Sequence, residues 1–340
     1  MSAQTATQPR PAYRLTLDSE DITARIQGRL ISLTLTDNRG MEADQLDLVL
    51  DDSDGRLSIP RSGVQLALAI GWHGSPLTSK GLFTVDESSH TGAPDQLTIR
   101  ARSADLREGL RVKKEKSWHQ TTLGDLVKSV AQAQGLKPVI SDALAAVAVQ
   151  HLDQTNESDI NLLTRLASEH DAIATVKDGK LLFMPAGLGA TASGRLIGAA
   201  TITRADGDQH TYSVTDRDAY TGVKAYWQQD TTGEKREVIE GDGDNLKALR
   251  HTYASAASAL RAAKAEYARV QRGAATFTLT LARGRPDLYP ETPLQVSGWK
   301  AEINANPWLI TKIIHSISDS GYTSALEAEV SGASQEAEST

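Results

Sequence analysis

Cysteine is absent from the 340 residues, and so is any long apolar run. The lack of cysteine excludes disulfides, thiolate nucleophiles and cysteine-ligated zinc or iron–sulfur sites. A helix that spans a bilayer needs about 18 or more apolar residues, which no stretch provides. Residues 1–14 also lack the apolar core of a signal peptide. We therefore expect a chain that is made in the cytoplasm, is stabilised by packing alone and does not bind membranes by itself.

Neither sign of charge dominates the chain. There are 36 Lys and Arg against 43 Asp and Glu, which gives a net charge of −7. This mild acidity favours solubility and does not indicate a nucleic-acid partner. A hydrolase elbow, a P-loop, an HExxH motif and a dinucleotide fingerprint are all missing. We predict no catalytic, cofactor-binding or metal-binding residues and a protein that is not an enzyme.

The length predicts two or three domains, because a single core usually stops growing below this size. After a flexible N-terminus (1–12), residues 13–115 alternate between apolar and polar. The clearest run is Val64, Leu66, Leu68, Ile70 and Trp72. Period-two alternation places one face of a strand on a core. The block is expected to be an all-β unit, a small barrel or a sandwich.

Residues 116–185 change period and predict an α+β module. One helix should follow Thr122, and a second should begin near Glu157 with Asn156 as its cap. Their apolar positions are Leu123, Leu126, Val127 and Val130 in the first, and Ile160, Leu163 and Leu166 in the second. Asp178-Gly179 is a two-residue hairpin signal. A Gly- and Ala-rich linker, 186–195, ends the module.

Residues 196–330 return to strands but contain one predicted long helix, 244–272, ahead of a flexible tail, 331–340. Its apolar positions follow spacings of three and four: Leu246, Leu249, Tyr253, Ala256, Leu260, Ala263, Tyr267 and Val270. This helix packs either on a symmetry mate or across the protein's own sheet. The predicted fold class is α+β and mainly β, with two small β-barrels, the intervening module and this helix in the second β unit.

A few large side chains are predicted to serve packing rather than chemistry. They are Trp72, Tyr253, Leu260, Tyr267, Trp308 and His315. The eight histidines are scattered, without the spacing of a metal site. The carboxylates of the middle module read as helix caps and solvated surface groups: Asp153, Glu157, Asp159, Glu169 and Asp171. A peptidoglycan- or carbohydrate-binding baseplate module, or a cell-wall hydrolase, built on this block remains as an alternative.

A series of short motifs near the C-terminus resembles the phage late control D family. They are PDLYP (286–290), LQVSG (294–298), WLI (308–310), HS (315–316) and GYTS (321–324). That family comprises the tail hub proteins of contractile-tailed phages and R-type pyocins, and it is related to the hub part of type VI secretion spike proteins. The resemblance covers roughly residues 13–330.

The resemblance implies a structural role in a baseplate. Such hubs are homotrimers in which two β-barrels per subunit form a ring that adapts a sixfold tail tube to a threefold central spike. The implied partners are the spike, the tube, other baseplate proteins and a tape measure protein in the channel. Only SGASQEAEST follows Val330, so the spike is expected to be a separate polypeptide. Assembly is expected in the host cytoplasm, and the final location in the virion or tail particle.

Overall fold

The computed structural model describes residues 9–103, 108–177, 179–189, 197–214, 220–228 and 233–331. It is mainly β with some helix, which confirms the α+β, mainly β part of the predicted fold class. Three predicted flexible segments lie largely outside the described residues: 1–8 of the N-terminus, 190–195 of the linker and 332–340 of the tail. Ser331 was also assigned to the tail, but it is buried and its hydroxyl donates a 2.8 Å hydrogen bond to the carbonyl of Gly187.

The first block forms the strands that alternation predicts. Its elements are β1 (Pro11–Leu17), β2 (Glu20–Asp21), α1 (Thr23–Ile26), β3 (Leu30–Asn38), β4 (Gln45–Asp51), β5 (Gln65–Trp72), β6 (Thr78–Thr91) and β7 (Gln96–Ser103). In β4, Leu46, Leu48 and Leu50 are all buried while the residues between them are partly exposed. The inward side chains build one core of mostly leucine.

The middle module has its own core between two helices and two small sheets. Its elements are β8 (Lys113–Thr122), α2 (Leu123–Ala133), β9 (Lys137–Ile140), α3 (Asp142–Ala145), β10 (Ala148–Ser158), α4 (Asp159–Glu169), β11 (Ala172–Lys177) and β12 (Lys180–Pro185). Thr122 caps α2, as predicted. The cap of α4 is Ser158 rather than Asn156. Asn156 instead has a φ of 50° and lies where the pairing of β8 with β10 shifts register.

The second block consists of strands with a folded insertion. Its elements are β13 (Ala200–Thr203), β14 (Gly207–Val214), β15 (Gly222–Gln228), β16 (Lys235–Gly241), β17 (Leu246–Tyr253), α5 (Ala256–Arg272), β18 (Ala275–Leu281), β19 (Pro293–Ser297), α6 (Ala301–Asn304), β20 (Trp308–Ser318) and β21 (Gly321–Val330). Since β14 pairs directly with β18, the elements from β15 to α5 form an insertion between two neighbouring strands. The insertion has a small core of its own.

The prediction of one helix over 244–272 is wrong in its first third. Residues 246–253 form β17, which pairs in parallel with β15, and α5 begins only after Ser255, whose hydroxyl accepts a hydrogen bond from the Ser258 amide. A spacing of four is even, so Leu249 and Tyr253 share a face in a strand as well as in a helix. Helical spacing in this segment therefore does not distinguish the two structures.

A single 13-stranded sheet runs through both β blocks. Its main order is β14-β18-β21-β20-β3-β4-β7-β6-β5-β1-β2. The blocks join where β20 pairs antiparallel with β3, from Lys312 opposite Asn38 to Ser318 opposite Ser32. The expected pair of closed barrels is not found among the described residues. Strand β20 pairs with β3 of the first block, so the second block does not close into a separate barrel at this strand.

Candidate assembly site at the junction of the blocks

An aromatic cluster holds the two β blocks together beside the joint in the sheet. The indole Nε1 of Trp72, at the end of β5, donates a 2.9 Å hydrogen bond to the carbonyl of Gly284 in the second block. Its ring lies 5.3 Å from that of Tyr322. A Cβ on Gly284 would lie 2.4 Å from the Tyr322 ring, so only glycine fits this approach. The contact fixes the end of β5 against β21.

His315 completes this cluster and is fully buried. Its Nδ1 lies 3.0 Å from the hydroxyl of Tyr322 and 2.9 Å from that of Ser324. Burial, and then the nearby Lys80 cation, lowers the pKa of His315 to about 2. The imidazole is therefore neutral over the whole physiological range and acts as a packing and hydrogen-bonding group. It offers no proton for chemistry near neutral pH.

A partly buried arginine, Arg39, ties the turn after β3 to the second block. Arg39 Nε lies 2.6 Å from Glu291 Oε1, and its Nη1 lies 2.5 Å from Glu329 Oε1. Glu291 is buried, and its burial raises its pKa to about 7 despite the opposing charge of Arg39. A buried charge is tolerated only when it is paired in this way. The pairing therefore makes the position of the turn dependent on β21 and on the segment just before β19.

A second arginine, which is buried, connects the insertion and the middle module to this group of charges. Arg272, the last residue of α5, binds both carboxylate oxygens of Asp171 through its two terminal nitrogens, one of them at 2.7 Å. Its Nε lies 3.4 Å from Glu329. Such two-point pairing fixes direction as well as distance. Arg39, Glu291, Glu329, Arg272 and Asp171 form what we call the junction network, and its members come from all three blocks.

A lysine of the middle module makes a third connection, to the first block. Lys177 Nζ lies 2.5 Å from Asp37 and 3.2 Å from Asp44. Burial raises the pKa of Asp44 to about 6, against the attraction of Lys177. An open cavity of about 710 Å³ lies beside this group, between the module and the loop that contains Tyr289. These ion pairs orient the module on the β blocks.

The residues predicted to serve packing occupy different environments. Trp308 is fully buried, and its Nε1 donates a 2.8 Å hydrogen bond to the carbonyl of Ile303. Tyr253 and Tyr267 are half-buried around the core of the insertion. Leu260 is 37% exposed, contrary to the prediction. The reason is that alanines, among them Ala263, form the buried face of α5.

Sequence reasoning missed the junction network, because isolated charges carry no periodic signal. It also assigned Asp159 and Asp171 to caps and solvated surface. Asp159 is buried and lies 2.5 Å from the Nζ of Lys114, and Asp171 holds Arg272. The sequence does contain one pattern that indicates a strand in the insertion. Val223, Ala225 and Trp227 alternate in the sequence, and all three contribute to the core of the insertion.

Neither a membrane-crossing helix nor a metal cluster is found in the described part of the chain. None of the helices there combines the length and the apolar character that crossing a membrane requires. In the same part of the chain, no group of three or more His, Cys, Asp or Glu side chains is arranged to hold a metal ion. What the junction shows is a set of fixed contacts between blocks.

Known proteins resemble this chain in sequence and in fold. Residues 45–321 match the phage tail baseplate hub (GPD) family. A probable baseplate hub protein of Escherichia phage 186 is 45% identical, over 97% of this chain and 95% of its own length. The 43 kDa tail protein of prophage MuSo2 from Shewanella oneidensis shares the fold with a TM-score of 0.69, at 15% identity and with 94% of this chain and 98% of that one covered.

A type VI secretion protein shares the fold as well. The c3393 protein of E. coli, described as similar to the T4 tail proteins gp27 and gp5, has a TM-score of 0.55 at 12% identity, over 96% of this chain and 75% of that one. The family is one of structural baseplate proteins rather than enzymes. From the match over most of its length and the close relative in phage 186, the chain belongs to the phage tail baseplate hub (GPD) family.

Proposed function

We propose that this chain is the structural hub of the baseplate of a contractile tail or injection particle. Three copies form a ring that joins a sixfold tail tube to a threefold central spike. The ring also contacts other baseplate proteins and surrounds the tape measure protein. The chain is assembled in the host cytoplasm and then resides in the tail of the particle.

The continuous sheet across the two β blocks is the observation that carries this proposal. Each chain contributes two β units whose relative position is set by the pairing of β20 with β3. Three chains then present six β units, the number that a sixfold tube requires. A threefold object made of doubled subunits can therefore contact a sixfold partner on one face and a threefold partner on the other.

The edges of the sheet supply the surfaces for closing the ring. The sheet ends at β14 on one side and at the two-residue β2 on the other. These edges differ, so an edge-to-edge contact between copies is head-to-tail, the type of contact that generates rings. Val214 at the end of β14 is 62% exposed, which suits an apolar contact with the next copy.

The junction network supplies contacts that oppose movement of one block against another. Arg272 is buried and Arg39 is partly buried, and both reach Glu329, so a shift of one block separates charges that have limited access to water. A symmetry adaptor requires this rigidity, because an error in the angle between the two β units would be repeated around the ring.

The proposal is tested by changing the β14 edge. V214D should prevent trimer formation, measured by light scattering coupled to size exclusion in the presence of purified tube and spike proteins. I239D is the matched control, because Ile239 is 42% exposed but lies on β16 of the insertion. A wild-type chain that remains monomeric with both partners, and binds neither, would refute the hub function. Trimerisation of V214D would refute only the assignment of β14 as the strand that contacts the next copy.

A further inference from the structure

Two of the scattered histidines come together on an exposed ribbon of the middle module. His119 in β8 and His151 in β10 are direct cross-strand partners. Their rings stack with centroids 4.6 Å apart, and their Nδ1 atoms are 3.0 Å apart. The side chain of His151 is 55% exposed, so a dissolved ion can reach it. Neither residue belongs to the junction network.

A carboxylate orients one of the two rings. Asp153 accepts a 2.6 Å hydrogen bond from the hydroxyl of Ser117, and its other oxygen lies 3.0 Å from His151 Nε2. A carboxylate can only accept hydrogen bonds. Nε2 of His151 therefore carries the hydrogen, and the lone pair of the neutral ring lies on Nδ1, which faces His119.

We propose that His119 and His151 form a two-histidine site for a divalent transition-metal ion, Cu²⁺ or Ni²⁺. An ion about 2.05 Å from both Nδ1 atoms, a normal metal–imidazole distance, would subtend an angle of about 94° given their separation. Square-planar and tetragonal sites, which Cu²⁺ and Ni²⁺ adopt, place neighbouring ligands at about 90°. A tetrahedral zinc site needs about 109°. Water occupies the remaining positions.

Binding requires a change of tautomer at His119 and a rotation of the two rings, because a metal ion binds in the plane of each imidazole and the stacked planes lie 29° apart. In the metal-free pair, Nδ1–H of His119 donates to Nδ1 of His151. When the ion binds, His119 carries its hydrogen on Nε2 instead, and both rings turn their Nδ1 lone pairs toward the metal. Asp153 keeps His151 in the required tautomer, as carboxylates next to metal-bound imidazoles generally do. The bound ion links β8 to β10 across the ladder.

The test uses the full chain without an affinity tag, titrated with CuCl₂ near neutral pH and followed by calorimetry and electron paramagnetic resonance. One saturable Cu²⁺ site per chain with nitrogen ligands is expected. H119A and H151A should each weaken binding at least ~10-fold, and D153N by ~10-fold through loss of ring orientation. H73A is the matched control, because His73 is also exposed but lies on the first block, and it should bind as the wild type does.

A second measurement does not depend on variants. Diethyl pyrocarbonate modifies accessible histidines, and mass spectrometry locates the modified residues. Cu²⁺ should protect His119 and His151 selectively, while His73 stays reactive. Wild-type affinity in both H119A and H151A, or equal modification of the pair with and without Cu²⁺, would overturn the proposal.

Discussion

Removing the charge of Arg272 should loosen the attachment of the middle module and the insertion to the second block. The side chain is only 6% exposed and makes two contacts to Asp171 and one to Glu329. In R272M, Glu329 keeps its pairing with Arg39, so Asp171 is the group that loses its charge partner. The variant therefore isolates one pair within the junction network.

The size of the effect follows from the burial of the pair. Removing one member of a fully buried ion pair costs about 3–5 kcal/mol. Asp171 remains 20% exposed and can regain some hydration, so we expect a smaller loss than for a fully buried pair, about 2–3 kcal/mol in the free energy of unfolding. With a urea dependence of about 3 kcal/mol/M, the midpoint should fall by about 0.7–1 M.

Equilibrium urea unfolding followed by circular dichroism measures this shift, and a double-mutant cycle assigns it to the pair. D171N alone should also destabilise, and the double variant should lose about 1–3 kcal/mol less than the sum of the two single losses. K264M is the control, because Lys264 is an exposed cation on the same helix and should change stability by less than about 0.5 kcal/mol. An R272M midpoint equal to that of K264M would refute the reasoning.

Three further predictions concern the cluster, the pH dependence and the middle module. G284A should lower stability by about 1–3 kcal/mol, because its Cβ would meet the ring of Tyr322, whereas G243A, with nothing within 4 Å, should not; equal urea midpoints would contradict the packing argument. Burial raises the pKa of Glu291 from 4.5 to about 7 in the folded chain. The folded state therefore binds more protons between those values, and stability should fall as pH rises through that window. E291Q should remove up to about 3 kcal/mol of that fall, and identical profiles for the two proteins would contradict the assignment. Finally, we expect the full chain not to be retained on peptidoglycan sacculi, and specific retention would support the binding alternative for the middle module.

Much of the fold could be predicted from local sequence patterns. The strands of the first block follow from alternation, because one face of each strand packs on a single core. The first helix of the module follows from Thr122, whose hydroxyl accepts a 3.1 Å hydrogen bond from the Asp125 amide. These features depend on residues close in sequence, and such information is present in a single chain.

Features that depend on residues far apart in the sequence could not be predicted from the sequence. The pairing of β20 with β3 joins residues 274 to 286 positions apart, as in Lys312 with Asn38 and Ser318 with Ser32, and each strand also pairs with a neighbour in its own block. Arg39 and Glu291 show no pattern that links them. Glu291 adopts a φ of 70°, a value that its residue type does not predict. The junction network is therefore a property of the tertiary structure.

The start of the long helix shows a different limit, where two local patterns coincide. Leu249 and Tyr253 fit a strand and a helix equally well, and Ser255 marks the true boundary. Serine is a strong cap, but the apolar spacing passes through it without interruption. A capping residue such as Ser255 within a run of helical spacing therefore indicates where the helix begins, which the spacing of the apolar residues does not show.

The mass of the assembly formed with the tail tube and spike proteins tests the central claim most directly. Native mass spectrometry of the three purified proteins should give one complex that contains three copies of this chain, and cryo-electron microscopy of that complex should show six β units around a central channel. A chain that stays monomeric in the presence of both partners, with no ring in the images, would contradict the account.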